Sequence, residues 1–108
     1  MHIGNVELNK IDLQNGSTTI CRVLIGDKNT KGKGYGKEII KAAIKIGFEE
    51  LNLHRIDLFV FDFNKPAIKC YESVGFTHEG LLIDCRKIGN EYWSLIQMSI
   101  LKKEYKNL

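Results

Sequence analysis

A strand that carries apolar side chains on both of its faces must be covered from two sides, and residues 54–63 have that pattern. Ile56, Leu58 and Val60 fall on one parity, Phe59 and Phe61 on the other. The expectation is a central strand with further elements packed on each face. Just before it, residues 36–53 place Ile40, Ala43, Ile44, Phe48 and Leu51 at spacings of three and four, with Lys37, Lys41 and Lys45 on another stripe. That is an amphipathic helix. A helix feeding a buried strand implies layered α/β architecture.

The flanking segments extend this reading. Residues 3–13 alternate Val6 and Leu8 with Glu7 and Asn9, then resume at Ile11 and Leu13 after a change of phase, which predicts a strand with a bulge. The turn cluster Gln14-Asn15-Gly16-Ser17 leads into the β-branched run 18–25, so the two segments form an antiparallel hairpin. After the central strand, Asn64-Lys65-Pro66 joins a capping residue to a proline suited to a first helical turn, and Ala67, Tyr71 and Val74 recur at helical spacing until Gly75. Residues 81–87 and 92–101, about the turn at Gly89 and Asn90, predict a second hairpin, and residues 102–108 a basic tail. The element order is β-β-α-β-α-β-β in a single domain over residues 1–108, a mixed-sheet α/β fold.

Composition excludes several classes. With 44% hydrophobic and 27% charged residues among 108, the chain has enough apolar matter for one core and is not a disordered polymer. No apolar run approaches the ~20 residues of a membrane helix, so no membrane association is expected. The first residues lack a basic-then-apolar secretory leader, so the expected location is cytoplasmic. Three widely spaced cysteines, Cys21, Cys70 and Cys85, fit neither a disulfide framework nor a zinc site and read as reduced, packed thiols. His54 and His78 stand singly, without metal-ligand spacing, so no metal is expected. A net charge of +3 suits an anionic ligand. An RNA-binding sheet would need exposed aromatics among lysines and arginines, whereas Phe59 and Phe61 read as covered, so no nucleic-acid partner is expected.

The most informative string is Lys31-Gly32-Lys33-Gly34-Tyr35-Gly36, between a strand-type run and an amphipathic helix. Alternate glycines expose successive backbone N–H groups, and a helix start adds partial positive charge, which together make a cradle for phosphate or pyrophosphate. A plain flexible connection is the alternative. A Walker loop fails for want of a Gly-Lys-Ser/Thr triplet, and a dinucleotide fingerprint fails because Lys37 stands where a glycine is needed.

With this loop, the sequence resembles the GCN5-related N-acetyltransferases (GNAT), whose signature is Arg or Gln, two residues, Gly, one residue, then Gly or Ala. Lys31 takes the first position, with Gly34 and Gly36 in the glycine positions. The string from Asn64-Lys65-Pro66-Ala67 to Tyr71-Glu72-Ser73-Val74-Gly75-Phe76 is similar to the family's second signature. One helix and one strand separate the two, as in the family. The resemblance runs from about Ile3 to Tyr105, nearest to the subgroup acting on ribosomal-protein amino termini and polyamines. It implies the GNAT acyl-CoA N-acyltransferase fold without the strand-helix-helix-strand portion that ordinarily precedes the equivalent of Ile3 and holds much of the acceptor site.

The resemblance further implies an N-acetyltransferase that moves an acetyl group from acetyl-CoA, its cosubstrate, to a primary amine of a small molecule, polyamine or peptide terminus. By that analogy the amides of Lys31, Gly32, Lys33, Gly34, Tyr35 and Gly36 hold the pyrophosphate. Backbone groups near Leu24, Ile25 and Gly26 pair with pantetheine. Asn64 hydrogen-bonds the pantetheine arm, or caps its helix, or both. Tyr71 protonates the leaving thiolate, a role open to a phenol with an ordinary pKa near 10; the other reading is a core aromatic. Lys33 and Lys37 touch CoA phosphates or face solvent. No base is assigned, since residues 13–26 hold no carboxylate. A second hypothesis is a CoA-binding, catalytically deficient module that forms a homodimer or hetero-complex through an open edge at the strand 3–13.

Overall fold

A computed structural model describes residues 2–3, 6–21 and 35–106. They form one six-stranded mixed sheet with helices on one face. Strand β1 (His2–Ile3) pairs antiparallel with β2 (Val6–Asp12), and β2 with β3 (Ser17–Cys21). Helix α1 (Tyr35–Lys45) runs into a π-helical turn at Ile46–Glu50 before β4 (Arg55–Phe61); α2 (Lys65–Ser73), β5 (Thr77–Ile88), β6 (Glu91–Leu101) and α3 (Lys102–Tyr105) follow. The strand order is β1-β2-β3-β4-β6-β5. Only the β3–β4 pair is parallel among the described strands.

Local chemistry accounts for these boundaries. The phase change in the first strand is a bulge between Asn9 and Asp12, with Lys10 at φ 52°. Asp12 closes the turn by accepting from the Asn15 backbone N–H at 3.0 Å and from Asn15 Nδ2 at 2.7 Å. The Gly16 carbonyl then accepts from the N–H groups of His54 and Arg55 at 2.7 and 2.9 Å, which fixes the hairpin turn against the start of β4. Gly47 lies where a Cβ would come within 2.7 Å of Ile56 Cδ1, so the bare backbone lets the π turn settle onto β4.

The core lies between the sheet and the α1/α2 layer. Ile40, Ala43, Ile44 and Phe48 from the long helix meet Leu8, Ile20, Ile56, Leu58, Met98 and Ile100 from the sheet, each at most 3% exposed. The mixed α/β class expected from the sequence is the one observed. The cover expected on the second face of β4 is not: Phe59 is 40% exposed, and the aromatics beyond it pack on one another. Phe61 and Phe63 stack at 5.4 Å between centroids, and Trp93 stands edge-on to both at 5.0 and 4.9 Å. Covering of these phenylalanines was the ground for setting RNA aside, and it does not hold. On the same face a polar row sets Asp57 and Glu79 about the guanidinium of Arg55, and Arg86 stands across the β5–β6 ladder from Trp93.

Three further expectations are corrected. The basic tail is helical over Lys102–Tyr105 and returns to the body, where Tyr105 packs on Phe48 at 5.2 Å and donates its hydroxyl to Glu49. Cys85 is an exposed thiol on β5 and Cys70 is half-buried, so neither is a fully packed core residue; the side chain of Cys21 lies outside the description. The edge at β2 is shielded by β1 at Val6 and Glu7. The longer bare edge is β5, which ends the sheet on the other side with all twelve residues exposed, Leu81, Leu82 and Ile83 among them. That exposure is why β5 begins earlier than the sequence suggested, since an edge strand open on both faces need not alternate.

Candidate active site at the carboxyl ends of two parallel strands

Parallel strands that leave the sheet at the same end carry their ligands beyond their carboxyl termini. Among the described residues the β3–β4 ladder runs from Ser17↔Arg55 to Ile20↔Leu58. β4 continues to Phe61, held on its other side by β6 as far as Phe61↔Leu95. Over residues 59–61 the β3-facing edge of β4 therefore has no partner strand among the described residues. Backbone donors and acceptors on such an edge remain available to an extended ligand.

Both main helices begin at this end. α1 opens at Tyr35 and Gly36, so the last two positions of the glycine loop become the first helical turn. Leu24, Ile25, Gly26, Lys31, Gly32, Lys33 and Gly34 lie outside the described residues. Lys37 is half-buried in the first turn, and its positive charge reaches Cys70 on α2 strongly enough to act against the upward push that burial gives the thiol. Lys41 and Lys45, further along the same stripe, are exposed as a solvated face would be.

α2 starts three residues after Asp62. Asn64 caps it, its Oδ1 accepting from the Ala67 N–H at 3.4 Å, with Pro66 in the first turn. The cap reading of Asn64 is thus observed. The cap occupies only the oxygen: Asn64 Nδ2 has no hydrogen-bond partner among the described residues, and a side-chain amide carries two donors there. One turn later Tyr71 faces inward at 4% exposure, its ring 5.9 Å from Phe76. Its hydroxyl likewise has no hydrogen-bond partner among the described residues. Burial, with the neighbouring Cys70 second, pushes the phenol pKa well above its ordinary value of 10.0. The group is a proton donor throughout the neutral range. The core-aromatic and proton-donor readings of Tyr71 therefore coexist in one side chain.

A polar row on the sheet's other face went unnoticed in the sequence. Thr19 Oγ1 donates to Asp57 Oδ1 at 2.6 Å, Arg55 bridges Asp57 at 3.3 Å and Glu79, and Ser99 Oγ donates to Glu79. The available signal was the alternation of Arg55 and Asp57 with Ile56 and Leu58. Among the described residues there is no cluster of three or more His, Cys, Asp or Glu side chains able to hold a metal, and no helix long and apolar enough to cross a membrane.

The sequence profile of the acetyltransferase (GNAT) family matches residues 3–76. An uncharacterized N-acetyltransferase p20 of Bacillus licheniformis is 39% identical over 103 residues, 95% of this chain and 57% of that protein. A spermidine N(1)-acetyltransferase of Vibrio cholerae is 35% identical over 105 residues, 97% of this chain and 60% of that protein. The crystal structure of spermidine N-acetyltransferase from Vibrio cholerae in complex with CoA and spermine superposes with a TM-score of 0.86 at 33% identity, over 94% of this chain and 59% of that one. The chain thus spans roughly three-fifths of the length of these relatives.

The raised phenol gives a pH prediction. Because its folded pKa exceeds the unfolded value near 10, Tyr71 contributes stability that is fully present below pH ~10 and is lost as pH rises above it. In an ultraviolet alkaline titration, Tyr71→Phe is expected to remove the last tyrosine to ionise of the four. Loss of an earlier step instead would place the phenol in water.

Proposed function

This chain belongs to the GNAT acetyltransferase family, and we propose that it transfers the acetyl group of acetyl-CoA to a primary amine by direct attack of the neutral amine on the thioester. The observation that carries the reading is the β3-facing edge of β4 over residues 59–61, which has no partner strand among the described residues, just ahead of the helix start that Asn64 caps. An extended pantetheine arm has the shape and hydrogen-bonding valence for that edge. The pyrophosphate would then rest on the amides of residues 31–36, with Lys33 and Lys37 near its charge. Leu24, Ile25 and Gly26 would supply the facing backbone, where one N–H polarises the carbonyl. Asn64 Nδ2 would donate to the arm while Oδ1 keeps its cap.

Tyr71 is the residue proposed for the chemistry. As the tetrahedral adduct collapses, the C–S bond breaks and the electron pair stays on sulfur; the phenol delivers its proton there, and the amine's own proton leaves to solvent or to a base that is not assigned. A buried donor with a raised pKa holds its proton until the thiolate forms, and an acid so placed contributes about a hundredfold or more to such a step. For the acceptor we propose a polyamine, the class named for the Vibrio cholerae relative in complex with CoA and spermine. The proposed location is the cytoplasm. We further propose a homodimer or hetero-complex, now through β5 rather than the strand first expected, since β5 carries the longer bare edge and three consecutive exposed apolar residues. Light scattering that gives the mass of a single chain at high concentration would contradict this.

Calorimetric titration with acetyl-CoA, followed by acetylation of spermidine, tests the reading. Micromolar binding is expected, abolished by Gly34→Asp, which crowds and charges the phosphate cradle. Tyr71→Phe is expected to bind acetyl-CoA as the wild type does while kcat falls about a hundredfold. Absence of binding in the wild type would overturn the assignment of the site.

A further inference from the structure

Resting on the coenzyme site proposed above, we propose that the groove between α1 and α2 seats the 3′-phosphoadenosine end of CoA, with Lys41 and Lys45 holding the 3′-phosphate. The two helices lie against one another on the same face of the sheet. Toward the groove α1 carries Lys37, Lys41, Ile44 and Lys45, and α2 carries Cys70, Ser73 and Val74, each set at spacings of three and four. Each set is therefore one continuous helix face. At the upper end the charge of Lys37 reaches Cys70. Farther along, the groove holds a cavity of about 430 Å³ lined by Lys41, Ile44, Lys45, Ser73, Val74 and Tyr105.

The lining has two chemistries. Ile44 and Val74 are buried core side chains and Tyr105 is packed on Phe48, so the floor is apolar. Lys41 and Lys45 stand exposed at the rim, and neither forms an ion pair among the described residues. The carboxylate one turn past Lys45, Glu49, accepts the Tyr105 hydroxyl instead. Two ammonium groups four residues apart on a helix repel one another, and an anion held between them relieves that repulsion. An apolar floor under a cationic rim fits a flat heterocycle joined to a phosphate.

The spacing agrees with where the coenzyme is proposed to enter. With the pyrophosphate at the start of α1, Lys41 lies about 9 Å and Lys45 about 15 Å beyond Tyr35 along the helix axis. Side chains on a helix lean back toward its start, so both ammonium groups reach toward the pyrophosphate. In CoA the ribose bearing the 3′-phosphate follows the pyrophosphate directly, and adenine comes next. Exposed ion pairs are each worth little, but two acting on one phosphate amount to about tenfold in Kd.

The experiment measures Kd for acetyl-CoA and for 3′-dephospho-acetyl-CoA by calorimetry in the full chain, at low and at raised salt. The wild type is expected to prefer the phosphorylated form about tenfold, and the preference to narrow at raised salt as screening grows. In Lys41→Gln/Lys45→Gln it should fall to within about twofold, with Kd for the dephospho form unchanged. Lys10→Gln/Lys87→Gln, which removes the same charge from exposed positions elsewhere, should keep it. Adenosine 3′,5′-bisphosphate is expected to compete with acetyl-CoA, and more weakly in the Lys41/Lys45 variant. If the wild type binds both acetyl forms equally, or the Lys41/Lys45 variant keeps the preference, the groove does not hold the 3′-phosphate and the coenzyme site survives. If the wild type binds neither form, both fall.

Discussion

The proposed site depends on the pairing of β3 with β4, the parallel pair among the described strands. Among the described residues they share four pairs, from Ser17↔Arg55 to Ile20↔Leu58, and β4 runs on to Phe61 with β6 at its side. Backbone amides and carbonyls inside a sheet are costly to leave unpaired unless a strand, water or a ligand satisfies them. The carboxyl ends of adjacent parallel strands are where an α/β sheet offers such groups to a ligand.

The surrounding elements act on that end of the sheet in different ways. Two helix starts contribute N–H groups and partial positive charge, suited to an anionic ligand. Asn64 caps α2 through its oxygen, while its Nδ2 has no hydrogen-bond partner among the described residues. Tyr71 is buried deeply enough to keep its proton and has no hydrogen-bond partner among the described residues. The π turn, relieved at Gly47, lets the long helix sit close over β4, and α3 braces that turn through Tyr105 on Phe48. On the far face the Thr19-Asp57-Arg55-Glu79-Ser99 row links four strands, while the aromatic group around Trp93 stays partly open to solvent.

Much of this was legible before any coordinates. The three-and-four spacing of Ile40, Ala43, Ile44 and Phe48 located α1, the Asn-Lys-Pro start located α2, and the phase change after Asn9 located the bulge, because each pattern has one local cause. The two motifs pointed to the family for the same reason. What stayed hidden depends on contacts remote in sequence. Phe59 and Phe61 looked covered because apolar residues on both parities do not reveal whether a second layer is present. Residues 102–105 looked like a tail because their charges mask the one aromatic that docks. The polar row joins Thr19 to Asp57 across 38 positions and Arg55 to Glu79 across 24, so only the strand order brings it together.

The most direct test of the account is amide hydrogen exchange with and without acetyl-CoA. Slower exchange is predicted at residues 59–61 and in the first turn of α1, with β5 unchanged. Protection confined to β5 or to the aromatic face, or no protection at residues 59–61 at saturating acetyl-CoA, would contradict the claim that the coenzyme lies along the carboxyl end of β4.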